Sequence, residues 1–281
     1  MRTSKTSRKR PQLPGWGLTF GFTIFYLTIV VLIPLLALFL KSITMDWSEF
    51  IATMSHPRVL AAIRLTFGAS FLAALINVVF GSITAWSLIR YRFPMRKLLD
   101  AFVDLPFAMP TAVSGIALAT IYSHTGLVGS HLFPLGIKTA NSSLGVLIAL
   151  IFIGFPFVVR TLQPAIEDLD QEMEQAAASL GATRFQTVMK VTIPSLLPAI
   201  LTGFTLAFAR ALGEYGSVIF IAGNLPMKTE IASLLIVSRL DENDIAGASA
   251  IAFILLTATL LILLLIQTIG WYFNRRTGRQ T

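Results

Sequence analysis

The chain alternates long apolar runs with short polar connections. The runs fall at roughly 16–40, 65–89, 101–122, 143–163, 196–221 and 246–272. Each is near the roughly 20 residues a helix needs to cross a bilayer. The pattern predicts an all-α polytopic membrane protein with six transmembrane helices, occupying 16–272 between a basic head at 1–15 and a tail at 273–281. The head, "MRTSKTSRKR", has the charge of a signal peptide, but such a peptide has an apolar core of only about 7–15 residues. The longer run here predicts a retained first helix.

Two runs carry helix breakers. The third contains "DLPFAMPTAVSG", with Pro106, Pro110 and Gly115, and the fourth contains "GFPF" with Pro156. A break inside lipid is tolerated only where neighbouring helices or a water-filled cavity satisfy the freed backbone groups. The third run is therefore expected to face protein or a path, with a simple kink at a helix contact as the alternative. Thr111 and Ser114, beside Pro110, are candidate path-lining hydroxyls, though small polar residues also join helices.

One connection is unlike the rest. The loop 160–193 holds "EQAAASLGATRFQTVMKVTIP" from Glu174 to Pro194. Acidic residues precede it, and Met173, Ala176, Ala177 and Leu180 recur at one-face helical spacing. Gly181 follows as a helix stop. Thr183 and Gln186 then form a capping box that starts a second helix. The pattern is helix, sharp turn, helix. It suits entry into a groove on another protein or a solvated connector along the membrane.

Composition supports the membrane reading. Hydrophobic residues make up 55% of the 281 and charged residues 13%, where a soluble domain carries about 25% charged. Mean hydropathy is +0.75. There is no cysteine, which removes disulfides, thiolate metal sites and cysteine nucleophiles. The net charge of +8 does not read as nucleic-acid binding, because no basic stretch interleaves with aromatics. It reads as topology. Fifteen of the 22 lysines and arginines fall in one set of alternating connections and six in the other, with Arg210 inside a span. Positively charged loops stay inside, so both termini are predicted to be cytoplasmic.

Charge inside a span is costly and points to a bundle interior or cavity. Arg210 and Glu214, in "FARALGEYG", lie four residues apart in the fifth run and share a helix face. Counting from Leu196, Arg210 sits roughly 20 Å into the helix. The pair is either a structural or gating ion pair or a place where Arg210 eases the passage of an anion. Asp104, at the inner end of the third run, is expected to pair with Arg96 or Lys97.

The loop residues resemble a known signature. ABC-importer permeases carry Glu-Ala-Ala, three residues, Gly, nine residues, then Ile-x-Leu-Pro; here Ala176, Ala177, Gly181 and Pro194 match in identity at that spacing. The glutamate position is Gln175, with Glu174 one residue earlier. "DLPFAMPTAVSGIAL", "RYRFPMRKLLDA", "FPFVVRTLQPAIEDL" and "ALGEYGSVIFIAGNLPMKTEIASLLI" are further similar to the sulfate/thiosulfate permease family of ABC importers, CysT type, over about 20–270. The resemblance implies a type I importer permease fold in a bacterial inner membrane and an ATP-driven import of sulfate or thiosulfate. It also implies three partners: a sister permease (CysW-like), a dimer of ATP-binding subunits, and an extracytoplasmic binding protein. Glu174, Gln175, Ala176, Ala177, Gly181 and Thr183 would then couple to the ATPase, and Pro110, Thr111, Ser114, Arg210 and Glu214 would line a translocation path or gate. No cofactor, metal or catalytic residue is expected. The chain has no G-x-x-x-x-G-K-[ST] loop, so ATP hydrolysis would fall to a partner.

Other readings are a permease for molybdate or another oxyanion, an ion-driven secondary transporter, and an intramembrane enzyme. No internal repeat supports a secondary transporter. The enzyme reading lacks chemistry: His56, His124 and His131 fall in predicted outer loops, and no H-E-x-x-H occurs.

Overall fold

The computed structural model describes residues 15–43 and 45–276. Residues 1–14 of the predicted head and 277–281 of the predicted tail lie outside it. The described residues form helices joined by loops and turns, with no strand. Five helices are long and apolar enough to cross a membrane: α1 (Trp16–Ser42), α3 (Pro57–Arg90), α7 (Ser143–Glu167), α9 (Arg184–Leu212) and α12 (Ile245–Arg276). Shorter helices join them: α2 (Trp47–Ser55), α4 (Arg96–Val103), α5 (Leu105–Ala108), α6 (Thr111–Tyr122), α8 (Gln171–Ser179), α10 (Gly216–Ala222) and α11 (Ala232–Asp241).

The predicted third span is not one helix. It is divided among α4, α5 and α6, and α6, at 12 residues, reaches only about 18 Å. The cause is local. Pro106 lies in the first turn of α5, while Met109 and Pro110 are both extended, the geometry favoured before and at a proline. This is a break and not a kink. Pro156 has the opposite outcome: α7 runs unbroken through Pro156 and Pro164, with Pro156 buried among neighbouring helices. The predicted fifth span also divides. Its helix stops at Leu212, and α10 begins only at Gly216.

α3, α7 and α9 form the centre. Ala85 and Leu88 of α3, Val159 and Leu162 of α7, and Phe204 and Phe208 of α9 pack in one buried cluster. A second cluster, including Leu118, Val146, Leu150, Val218 and Leu234, seats α6, α10 and α11 on the other end of α3 and α7. Small residues let the backbones approach where lipid supplies no hydrophobic drive; Ala73, Ala74 and Gly81 face inward from α3. α1 is different, since none of its central apolar window is buried. Its last turns are anchored by Phe39 against Phe253 and by the Ser42 hydroxyl donating to the Ser249 carbonyl at 3.1 Å.

Candidate translocation path and coupling loop

The two broken helices meet at their breaks. Pro110 is the N-terminal boundary of α6 and Tyr215 that of α10. α6 lies against α10 so closely that a methyl group at Gly115 would stand 2.5 Å from the Ser217 carbonyl oxygen. A methyl on Gly216 would overlap the Thr111 side chain. Glycine is required at Gly115 because backbone occupies the space a Cβ would take, while at Gly216 a Cβ would have to displace the Thr111 side chain.

Glu214 organises the second break. Its side chain is 1% exposed. One carboxylate oxygen accepts from Arg210 Nη1 at 2.7 Å. The other accepts from the backbone N–H and the hydroxyl of Ser217, each at 2.9 Å. The carboxylate therefore ends α9 and starts α10 at once, and its burial is offset by three donors. Arg210, in the last turn of α9, keeps 33% of its side chain exposed. Pro110, Thr111, Arg210 and Glu214 thus belong to one assembly, linked through Gly115, Gly216 and Ser217. Ser114 belongs to it too, but is 2% exposed, with its hydroxyl turned back to the Pro110 carbonyl at 3.4 Å. Sequence reasoning missed Gly115, Gly216 and Ser217 as members; small residues beside a break were the only signal.

At the opposite end, Asp104 does not pair with Arg96 or Lys97. Its partner is Arg160 of α7, whose Nε donates at 2.7 Å while Nη2 donates to the second oxygen. Arg160 also binds Asp100 at 2.7 Å. Packing of α7 on α4 and α5 brings the guanidinium to both carboxylates, a contact of 56 to 60 residues' separation that helix spacing cannot show. The Gln163 amide and the Arg160 guanidinium hold the Asp100 carboxyl below its usual range.

A second long-range pair was also invisible in the sequence. Arg58, at the start of α3, grips Glu230 with two bonds of 2.8 Å each. Glu230 is 1% exposed in its side chain. The pair holds the segment before α11 against α3, beside the Thr66 hydroxyl that accepts from the Ala232 N–H at 2.8 Å.

The loop between α7 and α9 has the expected form. Asp170 caps α8 by accepting from the Glu172 N–H at 2.8 Å. Gly181 ends it at φ +83°, with Gly181 N–H bonding Ala178 O at 2.9 Å and Ala182 N–H bonding Ala177 O at 3.0 Å. This is a full Schellman turn. Nothing lies within 4 Å of a Cβ added there, so the backbone conformation, not space, demands glycine. Thr183 and Gln186 make both capping-box bonds, at 2.9 and 3.3 Å. The second helix then does not stop: it passes through a π turn at Val188–Thr192 and continues as α9.

Glu174 ties the loop to the bundle. Its carboxylate accepts from Arg90 at 3.4 Å and from the Thr192 hydroxyl at 3.2 Å. Arg90 stands over the Trp86 ring at 4.9 Å. Gln175 and Ala176 are exposed and Ala177 is half-buried. Leu180 and Phe185, flanking the turn, are 90% and 70% exposed.

Broken helices meeting inside a helical bundle, with a capped and protruding loop on one end, define a polytopic membrane permease subunit. The chain belongs to the family described as binding-protein-dependent transport system inner membrane component, matched over residues 77–279, and it is thus an inner-membrane transport component. Among curated relatives it is 47% identical over 267 residues to the sulfate transport system permease protein CysT of Salmonella typhimurium, covering 95% of this chain and 96% of that one. The same identity and coverage hold for CysT of Escherichia coli. CysT of Synechocystis is 47% identical over 253 residues, or 90% and 88% of the two chains. Among solved structures, the fold is shared with a bacterial ABC transporter involved in the import of alginate, at a TM-score of 0.75 and 18% identity, over 92% of this chain and 96% of that one. The MetNI methionine ABC transporter aligns at a TM-score of 0.58 and 16% identity, over 79% and 96%.

Proposed function

We propose that this chain is one permease subunit of an ATP-driven importer that brings sulfate and thiosulfate into the cytoplasm. The near-full-length similarity to CysT proteins supports the substrate class. The partners follow from the same kinship: a sister permease (CysW-like), an ATP-binding subunit dimer and an extracytoplasmic binding protein. A related-fold transporter has been solved with its ligand-bound periplasmic protein. The chain holds no phosphate-binding loop of its own, so a partner hydrolyses the ATP.

One observation carries the mechanism. α9 is a single 29-residue helix with the loop turn at one end and the Arg210–Glu214 break at the other. Leu180 and Phe185 present an apolar surface for the ATPase around the Gly181 turn, with Gln175, Ala176 and Thr183 beside them. Movement imposed there passes along α9, about 44 Å long, to the contact between α10 and α6. Glu174 holds the loop to α3 through Arg90, so the bundle follows. At the break, Arg210 offers partial positive charge to a passing dianion while Glu214 prevents it from becoming a deep trap; Pro110 and Thr111 shape the facing wall.

The test is radiolabelled sulfate uptake in a strain lacking this chain. Restored uptake that thiosulfate competes with supports the reading. Competition by molybdate or tungstate with little by thiosulfate would shift the substrate to another oxyanion.

A further inference from the structure

α9 lies along α7 on a line of small residues. Gly203, Ala207 and Ala211 are buried and recur every four positions, so they share one face. A Cβ added at Gly203 would stand 3.2 Å from Val158 Cα of α7. From Gly145 to Val159, α7 holds no polar side chain. Between Gly203 and Leu212, the polar side chains of α9 are Thr205 and Arg210, and these bond Leu201 and Glu214. The contact between the two helices is therefore smooth and apolar along this stretch.

Asn77 of α3 breaks the pattern. It lies about 20 Å along the helix from Arg90, deep within a hydrocarbon core of roughly 30 Å. Asn77 is 1% exposed, and neither its amide nitrogen nor its amide oxygen has a hydrogen-bond partner within the protein. Such an amide is disfavoured in apolar surroundings, and buried orphans of this kind are rare. The side chain is aimed at the stripe. Around the point where a Cβ on Gly154 would stand, Asn77 Nδ2 lies at 2.6 Å, the Ala207 methyl at 3.5 Å and the Ala207 carbonyl oxygen at 3.6 Å. A helix carbonyl keeps a second lone pair after its bond along the helix. Donor and acceptor thus flank one closely packed point without bonding. A small slide of α9 along its stripe, of the kind packed helices make, changes their separation while no large side chain has to pass another.

We propose that α9 shears along α7 during transport and that Asn77 is the catch: in the displaced position its amide nitrogen donates to the Ala207 carbonyl. This rests on the reading of α9 as the lever between the coupling loop and the Arg210–Glu214 break. The catch gives that lever two rest positions, one with the amide unpartnered and one with it bonded. The nucleotide state felt at the loop then selects between them.

This chain has no cysteine, so a pair of introduced cysteines reports the slide in the assembled transporter. Thr161 Cβ lies 3.6 Å from where a Cβ at residue 203 would stand, within disulfide reach. Thr161→Cys with Gly203→Cys is expected to crosslink under oxidation in only one of two states, nucleotide-free or vanadate-trapped. The crosslink should abolish sulfate uptake until dithiothreitol is added. Asn77→Leu, a change of similar volume, removes the catch without opening a cavity. It should lower uptake several-fold and move the melting temperature of one state by several degrees relative to the other. Equal crosslinking in both states would overturn the proposal. So would an equal melting shift with unchanged uptake, the result a fixed bound water would give. Failure of Asn77→Leu to assemble would also overturn it, since the amide would then be bonded in both positions. Co-purification of the ATPase with the wild type, and its sulfate uptake, report separately on the proposed function.

Discussion

Glu214 accepts from Arg210 with one oxygen and from Ser217 with the other. One buried carboxylate thereby closes α9, opens α10 and neutralises the arginine at the break.

Removing the carboxylate should therefore cost more than removing the arginine. Glu214→Ala leaves a guanidinium without its partner and α10 without its cap, a loss of about 3 kcal/mol or more, and should lower the amount of assembled transporter recovered in detergent. Arg210→Ala leaves Glu214 bonded to Ser217. If Arg210 serves the path, this variant assembles and keeps coupled ATPase activity while sulfate uptake falls; loss of assembly instead would make the pair structural.

Gly181 is held at φ +83°, where a side chain costs about 1–2 kcal/mol and a β-branched one more. Gly181→Val is expected to weaken ATPase docking or to uncouple hydrolysis from uptake. Gln175 is exposed and makes no side-chain bond needed for the loop, so Gln175→Glu should leave both unchanged. Co-purification of the ATPase and its transport-stimulated hydrolysis read the two cases.

The approach of α6 to α10 leaves no room at Gly115. Gly115→Ala must push Ser217 away and with it the cap on Glu214. Overpacking of this kind costs about 1–3 kcal/mol. The expected result is reduced uptake with a lowered melting temperature, whereas Gly213→Ala, with open space around its Cβ position, should be far milder.

Arg58 and Glu230 should couple in a double-mutant cycle. Glu230→Gln leaves Arg58 only the longer 3.7 Å pairing with the exposed Glu242 and is expected to destabilise the purified protein, and a second change, Arg58→Met, should recover part of the loss. Additive effects of the two changes would show that the fork contributes nothing to stability.

Some of this architecture is legible residue by residue. The Schellman turn at Gly181, the capping box of Thr183 and Gln186, and the Arg210–Glu214 pair all join residues within five positions of each other. Local spacing and hydrogen-bonding chemistry suffice for them. Pro106 and Pro110 likewise announced a break in the third apolar run. They could not distinguish a kink from three separate helices, because Pro156 shows that a proline can also sit within an unbroken helix.

What the sequence determined by itself was the helical, membrane-embedded class, the loop with its glycine turn, and the kinship that turn carries. These depend on hydropathy and on contacts along the chain. Only the tertiary structure decided that the two breaks face each other, that Asp104 belongs to Arg160, and that Arg58 belongs to Glu230. Each of the last two joins residues 56 or more positions apart. Such pairs exist because backbones approach closely where glycine and alanine allow it, and the spacing of residues along the chain holds no record of which surfaces will meet.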